Sequence, residues 1–236
     1  MKILYVFPHP DDESYGPAAV MAKQVREGHE VYLLTLTKGG ATRQRFKYSY
    51  SVEKMGEVRY NEMLNVAAAL DLTELKVLDL PDSGLKDLDP RLIEIEIKRE
   101  VERIKPNVMV SYAVHGISGF FDHLVAHAVV KRAYVDMKEE HNYLKRLAFY
   151  TIAEDKISKD SYFKLTGSKY EDIDCIVKVN DVDKEKHIAA LDCYVTYKEV
   201  IEKTKIKEHV SGEFAFEIFQ EEFSPPLSDL FEKLKG

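Results

Sequence analysis

Cysteine is scarce in this chain: Cys175 and Cys193 are the only two in 236 residues. A disulfide framework is thereby excluded as the organising principle, and the pair reads as small buried hydrophobes in a reducing, cytoplasmic setting. Also missing is any run of the roughly 18–20 apolar residues that would span a bilayer, so no membrane span is expected. The opening segment, Met1 to Phe7, is too short for the apolar core of a secretion signal and runs straight into polar residues. It reads instead as a first strand.

An excess of positive charge is lacking as well. Lys and Arg number 34 against 41 Asp and Glu, for a net charge of -7. Nucleic-acid binding needs a clustered basic surface, so a nucleic-acid partner is disfavoured. Lys38, Arg43, Arg45 and Lys47 do cluster, but acidic segments balance them, and such a group suits a small anionic ligand. No Gly-x-Gly-x-x-Gly follows the first strand, which disfavours dinucleotide binding. Internal repeats, low-complexity tracts and a clear linker are absent too, so residues 1–236 read as a single domain.

What is present is an ordinary globular composition, 45% hydrophobic and 32% charged. The apolar pattern alternates short β-rich runs with helical spacing. Strands are expected over Met1–Phe7, Glu30–Thr37, Glu74–Leu80, Asn107–Ala113, Leu147–Ile152 and Ile173–Val179. Helices are expected over Pro17–Glu27, Val52–Leu70, Arg91–Ile104, His123–Met137 and Asp183–Glu202, with a last short one after Pro225-Pro226. Gly28 serves as a C-cap, and Lys105-Pro106 stops the third of these helices. Lys38–Ser51, polar and basic, reads as a functional loop. The expected fold is α/β: Rossmann-like, a mostly parallel sheet with helices on both faces. Ligands of such sheets sit beyond the carboxyl ends of the strands.

Two polar clusters fall at that edge. His9-Pro10-Asp11-Asp12-Glu13 follows the first strand, and Asp122-His123 with His127 follows the fourth. Three carboxylates beside an imidazole repel one another unless a cation joins them. A tight turn brings His9 and Asp12 onto one ion, and His123 can supply a third ligand from the other loop. Catalytic zinc uses such a three-ligand set and leaves a position for water. Asp11 would then be free to act as base toward that water, whose pKa the metal lowers to about 7. The plainer reading makes Asp11 or Asp12 a helix N-cap.

Phe7-Pro8-His9-Pro10-Asp11-Asp12-Glu13, followed by Gly16, resembles the signature of the PIG-L/LmbE-like deacetylases. Weaker matches support it: Thr35-Leu36-Thr37-Lys38-Gly39, Arg59 and Glu62 in an Arg-x-x-Glu helix, Leu80-Pro81-Asp82, and His123 at the last position of a His-x-Asp-His element. That family removes acetyl groups from N-acetylglucosamine conjugates, including precursors of glycosylphosphatidylinositol, mycothiol and bacillithiol. The resemblance implies a small-molecule glucosaminide substrate, a zinc ion (ferrous iron also suits two His and an Asp) on His9, Asp12 and His123, and Asp11 as general base. It also implies a homo-oligomer, a common assembly among such relatives.

Further candidates follow from position. Asp122 and His127 are candidate catalytic residues, with Asp122 placed to orient His115 or His127. Glu13, Arg43, Arg59 and His115 are candidate substrate contacts; Arg59 pairing with Glu62 is the structural alternative. The chain departs from the family pattern in four places: Phe120 replaces the first His of His-x-Asp-His, Gly40 a frequent Glu, and Tyr194 and Tyr197 the His and Gln of a later motif. Phe120 leaves the usual proton-donor position vacant and motivates a second reading, a catalytically weak or inactive relative that binds a sugar conjugate. Two-metal phosphoester hydrolysis would need more His and Asp ligands than the sequence offers.

Overall fold

The computed structural model describes residues 1–158 and 160–234. The strands are β1 (Lys2–Phe7), β2 (Glu30–Thr37), β3 (Glu74–Leu80), β4 (Val108–Tyr112), β5 (Arg146–Thr151), β6 (Cys175–Lys178) and β7 (Glu213–Ile218). The helices are α1 (Asp12–Tyr15), α2 (Ala18–Arg26), α3 (Val52–Ala69), α4 (Pro90–Ile104), α5 (Phe121–Glu140), α6 (Asp181–Asp192) and α7 (Lys198–Thr204). The strands form one seven-stranded sheet in the order β3-β2-β1-β4-β5-β7-β6. All pairs from β3 through β5 are parallel, whereas β7 runs antiparallel to both β5 and β6.

β1 is central because its side chains can be buried on both faces. Ile3, Tyr5 and Phe7 join the core layer under α2, α3 and α6, while Leu4 and Val6 join the layer under α4 and α5. β2 divides its residues by the same period of two. Local chemistry sets the helix ends. Asp89 accepts the Arg91 N–H ahead of Pro90, and Lys105 closes α4 in a left-handed conformation before Pro106. Asn180 and Asp183 form a reciprocal capping box at the start of α6.

Between β1 and β4 the sheet order reverses direction. The segments leaving these two strands therefore diverge, and open a crevice at their carboxyl ends. His9–Asp12 leaves β1 on one side of it; the loop 113–120 leaves β4 on the other.

Three expectations about the C-terminal third need correcting. The stretch Asp183–Glu202 is not one helix: α6 ends at Asp192, Val195–Tyr197 forms a 3-10 turn, and α7 follows. Tertiary hydrogen bonds cause the break. The Thr196 N–H and hydroxyl donate to Glu62, and the Tyr194 hydroxyl donates to Glu13. β7 went unrecognised in the sequence, although Phe214, Phe216 and Ile218 alternate toward the core. No helix follows Pro225-Pro226 among the described residues; Leu227 instead bridges to Cys175. Buried Arg146 ties this tail down, through Glu221 and the carbonyls of Leu230 and Glu232. No described helix is long and apolar enough to cross a membrane.

Candidate metal centre

The turn after β1 carries its carboxylates inward. Asp11 sits at the N-cap of α1 in the left-handed region (φ 85°), yet its side chain makes no capping hydrogen bond. The Asp12 carboxylate turns back and accepts the His9 N–H at 2.8 Å. Capping therefore explains neither side chain.

Asp12 lies between two imidazoles. Its Oδ2 is 3.5 Å from His9 Nδ1, and its Oδ1 is 3.2 Å from His123 Nε2. Ligand atoms of His9, Asp12 and His123 all lie within 4.8 Å of one another. Donors bonded tetrahedrally at about 2.0–2.1 Å stand roughly 3.3 Å apart, so the two Asp12–His contacts are close to the spacing that a small divalent cation asks for.

Outer contacts fix which atoms face the centre. His123 Nδ1 lies 2.9 Å from the Gly116 carbonyl. A carbonyl only accepts, so Nδ1 carries a proton and Nε2 is the ring nitrogen turned toward Asp12. Gly116 (φ +63°) allows this close approach, since a Cβ there would meet the His123 Cβ at 2.8 Å. Tyr112 donates its hydroxyl to Asp12 Oδ1 at 2.9 Å and stacks on His123, with ring centroids 4.4 Å apart and planes 8° apart. His9 Nε2 lies 3.1 Å from Asp122 and 3.4 Å from Asp82.

His9, Asp82 and Asp122 also converge. However, Asp122 is committed to the N–H groups of Ser83 and Leu85, and Asp82 to that of Ala41. These carboxylates read as the support that orients His9. Burial opposes a charge on His9, but hydrogen bonds to Asp12 and Asp122 and the charge of Asp82 outweigh it and raise its pKa to about 10. Burial likewise opposes ionisation of Asp12, yet His123 and His9 hold it well below the carboxylate range.

Asp11 stands next to this set. Its Oδ2 accepts from Arg59 Nη2 at 2.8 Å, and its N–H donates to the Tyr194 hydroxyl at 2.8 Å. Burial raises its pKa to about 7; Arg59 opposes the shift, while Asp12 and Glu13 add to it. A carboxylate so poised can take up and release a proton near neutral pH.

The remaining candidates lie elsewhere. Arg59 is 2% exposed and is not a surface contact. It donates to the carbonyls of Gly39 (3.0 Å) and Pro10 (2.6 Å) as well as to Asp11, and its guanidinium lies 4.3 Å from the Tyr197 ring centroid. Its ionic partner is thus Asp11; Glu62 instead holds Thr196. Glu13, expected as a substrate contact, is instead fully buried, and it accepts from Ser14 and Tyr194.

Asp122 orients neither His115 nor His127; it lies against His9. His127 lies outside the ligand group, its Nδ1 donating to the Tyr112 carbonyl at 2.9 Å, its ring against Phe149, and burial lowering its pKa. His115 accepts the Ile117 N–H and reaches Ser168 and Thr151. Arg43 is exposed on the 3-10 segment of the Lys38–Ser51 loop. Phe120 is 55% exposed and places its ring edge-on to His123, at 5.6 Å and 82°.

Sequence reasoning named Asp82, Tyr194 and Tyr197 only as motif positions, and placed neither them nor Tyr112 in the site. Tyr112 offered one signal, a polar tip at the carboxyl end of a buried strand.

A family model described as PIG-L: GlcNAc-PI de-N-acetylase matches residues 4–134. Over 153 residues the chain is 33% identical to a 1D-myo-inositol 2-acetamido-2-deoxy-alpha-D-glucopyranoside deacetylase of Thermomonospora curvata, covering 56% of this chain and 52% of that protein. Over 140 residues it is 28% identical to a probable N-acetyl-alpha-D-glucosaminyl L-malate deacetylase 2 of Bacillus subtilis, covering 58% and 63%. The chain thus spans roughly half to just under two thirds of the length of these curated relatives. Among solved structures, a deacetylase triple mutant from the teicoplanin biosynthetic pathway superposes with TM-score 0.74 at 14% identity, covering 93% of this chain and 98% of that one. The 4-carboxy-2-hydroxymuconate hydratase of Pseudomonas putida does so with TM-score 0.67 at 12% identity, covering 94% and 97%. These structural likenesses show the fold alone, and a fold does not fix a reaction.

Proposed function

The chain belongs to the PIG-L family of GlcNAc-PI de-N-acetylases, and from that premise we propose that it is a metal-dependent hydrolase that removes the N-acetyl group from an N-acetylglucosamine conjugate. The observation that carries this reading is the convergence of His9, Asp12 and His123, with Asp11 alongside, at the switch point of the sheet. We further take residues 1–236 as one catalytic domain. The free thiols of Cys175 and Cys193 support action in a reducing, cytoplasmic compartment.

His9, Asp12 and His123 would hold zinc, and ferrous iron suits the same donors. When bound, such an ion supplies a Lewis acid that polarises an amide carbonyl and acidifies water. The protein's own groups do the rest. Arg59 fixes one oxygen of Asp11 and leaves the carboxylate to take a proton from the attacking water. The same group can return that proton to the departing amine, so that acetate and free amine result. This second role matters because Phe120 holds no proton at the position where the family places a His.

The test is metal content together with acetate release from a panel of N-acetylglucosamine conjugates, for wild type and Asp11→Ala. We expect about one metal ion per chain in both proteins. Acetate release should fall by about 10²–10⁴-fold in the variant. Phe120 favours the competing reading of a sugar-conjugate binder without turnover. Metal binding with no acetate release from any conjugate would put that reading first.

A further inference from the structure

We infer that Tyr194 is a positioning residue for Asp11, an inference that rests on the reading of Asp11 as the base. Asp11 occupies a backbone region that residues with a Cβ rarely adopt, at φ 85° and ψ -22°. Helix α1 does not use its N–H, which instead donates to the Tyr194 hydroxyl at 2.8 Å. That hydroxyl donates in turn to Glu13 Oε1 at 2.6 Å, and the same oxygen accepts from the Ser14 hydroxyl at 2.7 Å. The phenol is therefore used in both directions, with its donor fixed by a carboxylate and its acceptor by a backbone amide. Tyr194 is 1% exposed, so water does not replace either bond.

The grip on Asp11 is double. Tyr194 holds its N–H and Arg59 holds its carboxylate. Arg59 is itself backed by the ring of Tyr197, whose hydroxyl reaches Thr42 at 2.6 Å. Thr196, between the two tyrosines, is tied to Glu62. The segment 194–197 thus folds over the His9–Glu13 turn as a clamp and fixes where the Asp11 carboxylate points. It lies beyond residues 4–134, which carry the family match. In this chain, then, a segment outside the matched region sets the aim of a base inside it. The hydroxyl itself is out of reach of substrate, so its effect passes through Asp11.

The experiment compares wild type, Tyr194→Phe, Asp11→Asn and the double variant on a conjugate that wild type deacetylates. A displacement of a reacting group by about 1 Å costs on the order of 10²-fold in rate. Tyr194→Phe, which keeps the ring, is therefore expected to lower kcat by about 10–100-fold, with KM within about twofold and metal content unchanged. Added to Asp11→Asn it should cost nothing further, because both act on one group. If Tyr194→Phe keeps wild-type kcat while Asp11→Asn loses it, or if the two losses simply add, the inference is overturned. If Asp11→Asn itself keeps wild-type activity, the base reading fails, and with it the inference. A second measurement needs no variant: hydrogen exchange in the wild-type protein. The Asp11 amide should be protected like the amides of β1, and exchange as fast as in an exposed loop would overturn the clamp.

Discussion

Replacing Arg59 by Met removes the buried charge that anchors the Asp11 turn and keeps most of the side-chain volume. Three hydrogen bonds disappear, to Asp11 Oδ2 and to the carbonyls of Pro10 and Gly39, together with the contact to the Tyr197 ring. Breaking a buried ion pair from one side costs about 3–5 kcal/mol, because the remaining charge is left without a partner. Here Asp11 has an escape, since burial already raises its pKa to about 7 and Arg59 is the first influence opposing that rise. Without Arg59 the group protonates more readily, and the penalty shifts from an orphaned charge to two orphaned carbonyls. The expected loss is therefore about 3 kcal/mol at pH 8 and smaller at pH 6. Arg59→Lys keeps a charge but not the planar fork, so it should lose less than Met at pH 8 and about as much at pH 6. The assay is urea unfolding at both pH values, in excess chelator so that bound metal does not contribute. A Met variant within about 1 kcal/mol of wild type at both pH values would refute this account of the anchor, because a typical single intramolecular hydrogen bond is worth that much.

Tyr112→Phe keeps the ring stacked on His123 but removes the hydroxyl that holds Asp12. Metal affinity, measured by competition with a chromophoric chelator, should fall about 10–100-fold, and unchanged affinity would exclude the ligand assignment. At Gly39 (φ +64°) a Cβ would stand 2.2 Å from Arg59 Nη1 and 2.8 Å from Pro10 Cδ. Gly39→Ala should therefore destabilise by about 2 kcal/mol or more, and by less in the Arg59→Met background; equal penalties in the two backgrounds would contradict the packing described. His187 donates from Nε2 to the Ser14 carbonyl at 2.7 Å, and its buried Nδ1 has no partner among the described residues. Burial lowers its pKa to about 4, against the opposing hydrogen bond to Ser14. The unfolded chain takes up that proton first, near pH 6.5, so stability should be lost as pH falls from about 6.5 to about 4, amounting to about 3 kcal/mol. Unfolding of wild type and His187→Gln across this range should show a steeper slope for wild type, and parallel slopes would remove His187 as the cause.

The sequence alone determined the parallel half of the sheet and its helices. The reason is local: Ile3–Phe7 and Val31–Leu36 are apolar on both faces, and α3 and α4 carry their own caps or stops in Ser51, Asp89, Pro90 and Pro106. It also determined the metal-binding candidates. His9, Asp11 and Asp12 fall within four consecutive residues, and His123 falls at the matching sheet edge, so the strand ends alone bring them together.

Only the tertiary structure decided what surrounds those ligands. Tyr112 lies 100 positions from Asp12, and Tyr194 lies 183 from Asp11; such contacts have no periodicity and leave no local mark. The same holds for Arg59, whose helix spacing suggested Glu62 as partner until the fold placed Asp11 closer. The break in the Asp183–Glu202 stretch is decided in this way too. Its helical propensity is real, but the hydrogen bonds of residues 194–197 to Glu13, Glu62 and Thr42 outweigh propensity terms of under about 1 kcal/mol per residue. Short-range pattern thus located the candidate ligands, and long-range burial selected the groups packed around them.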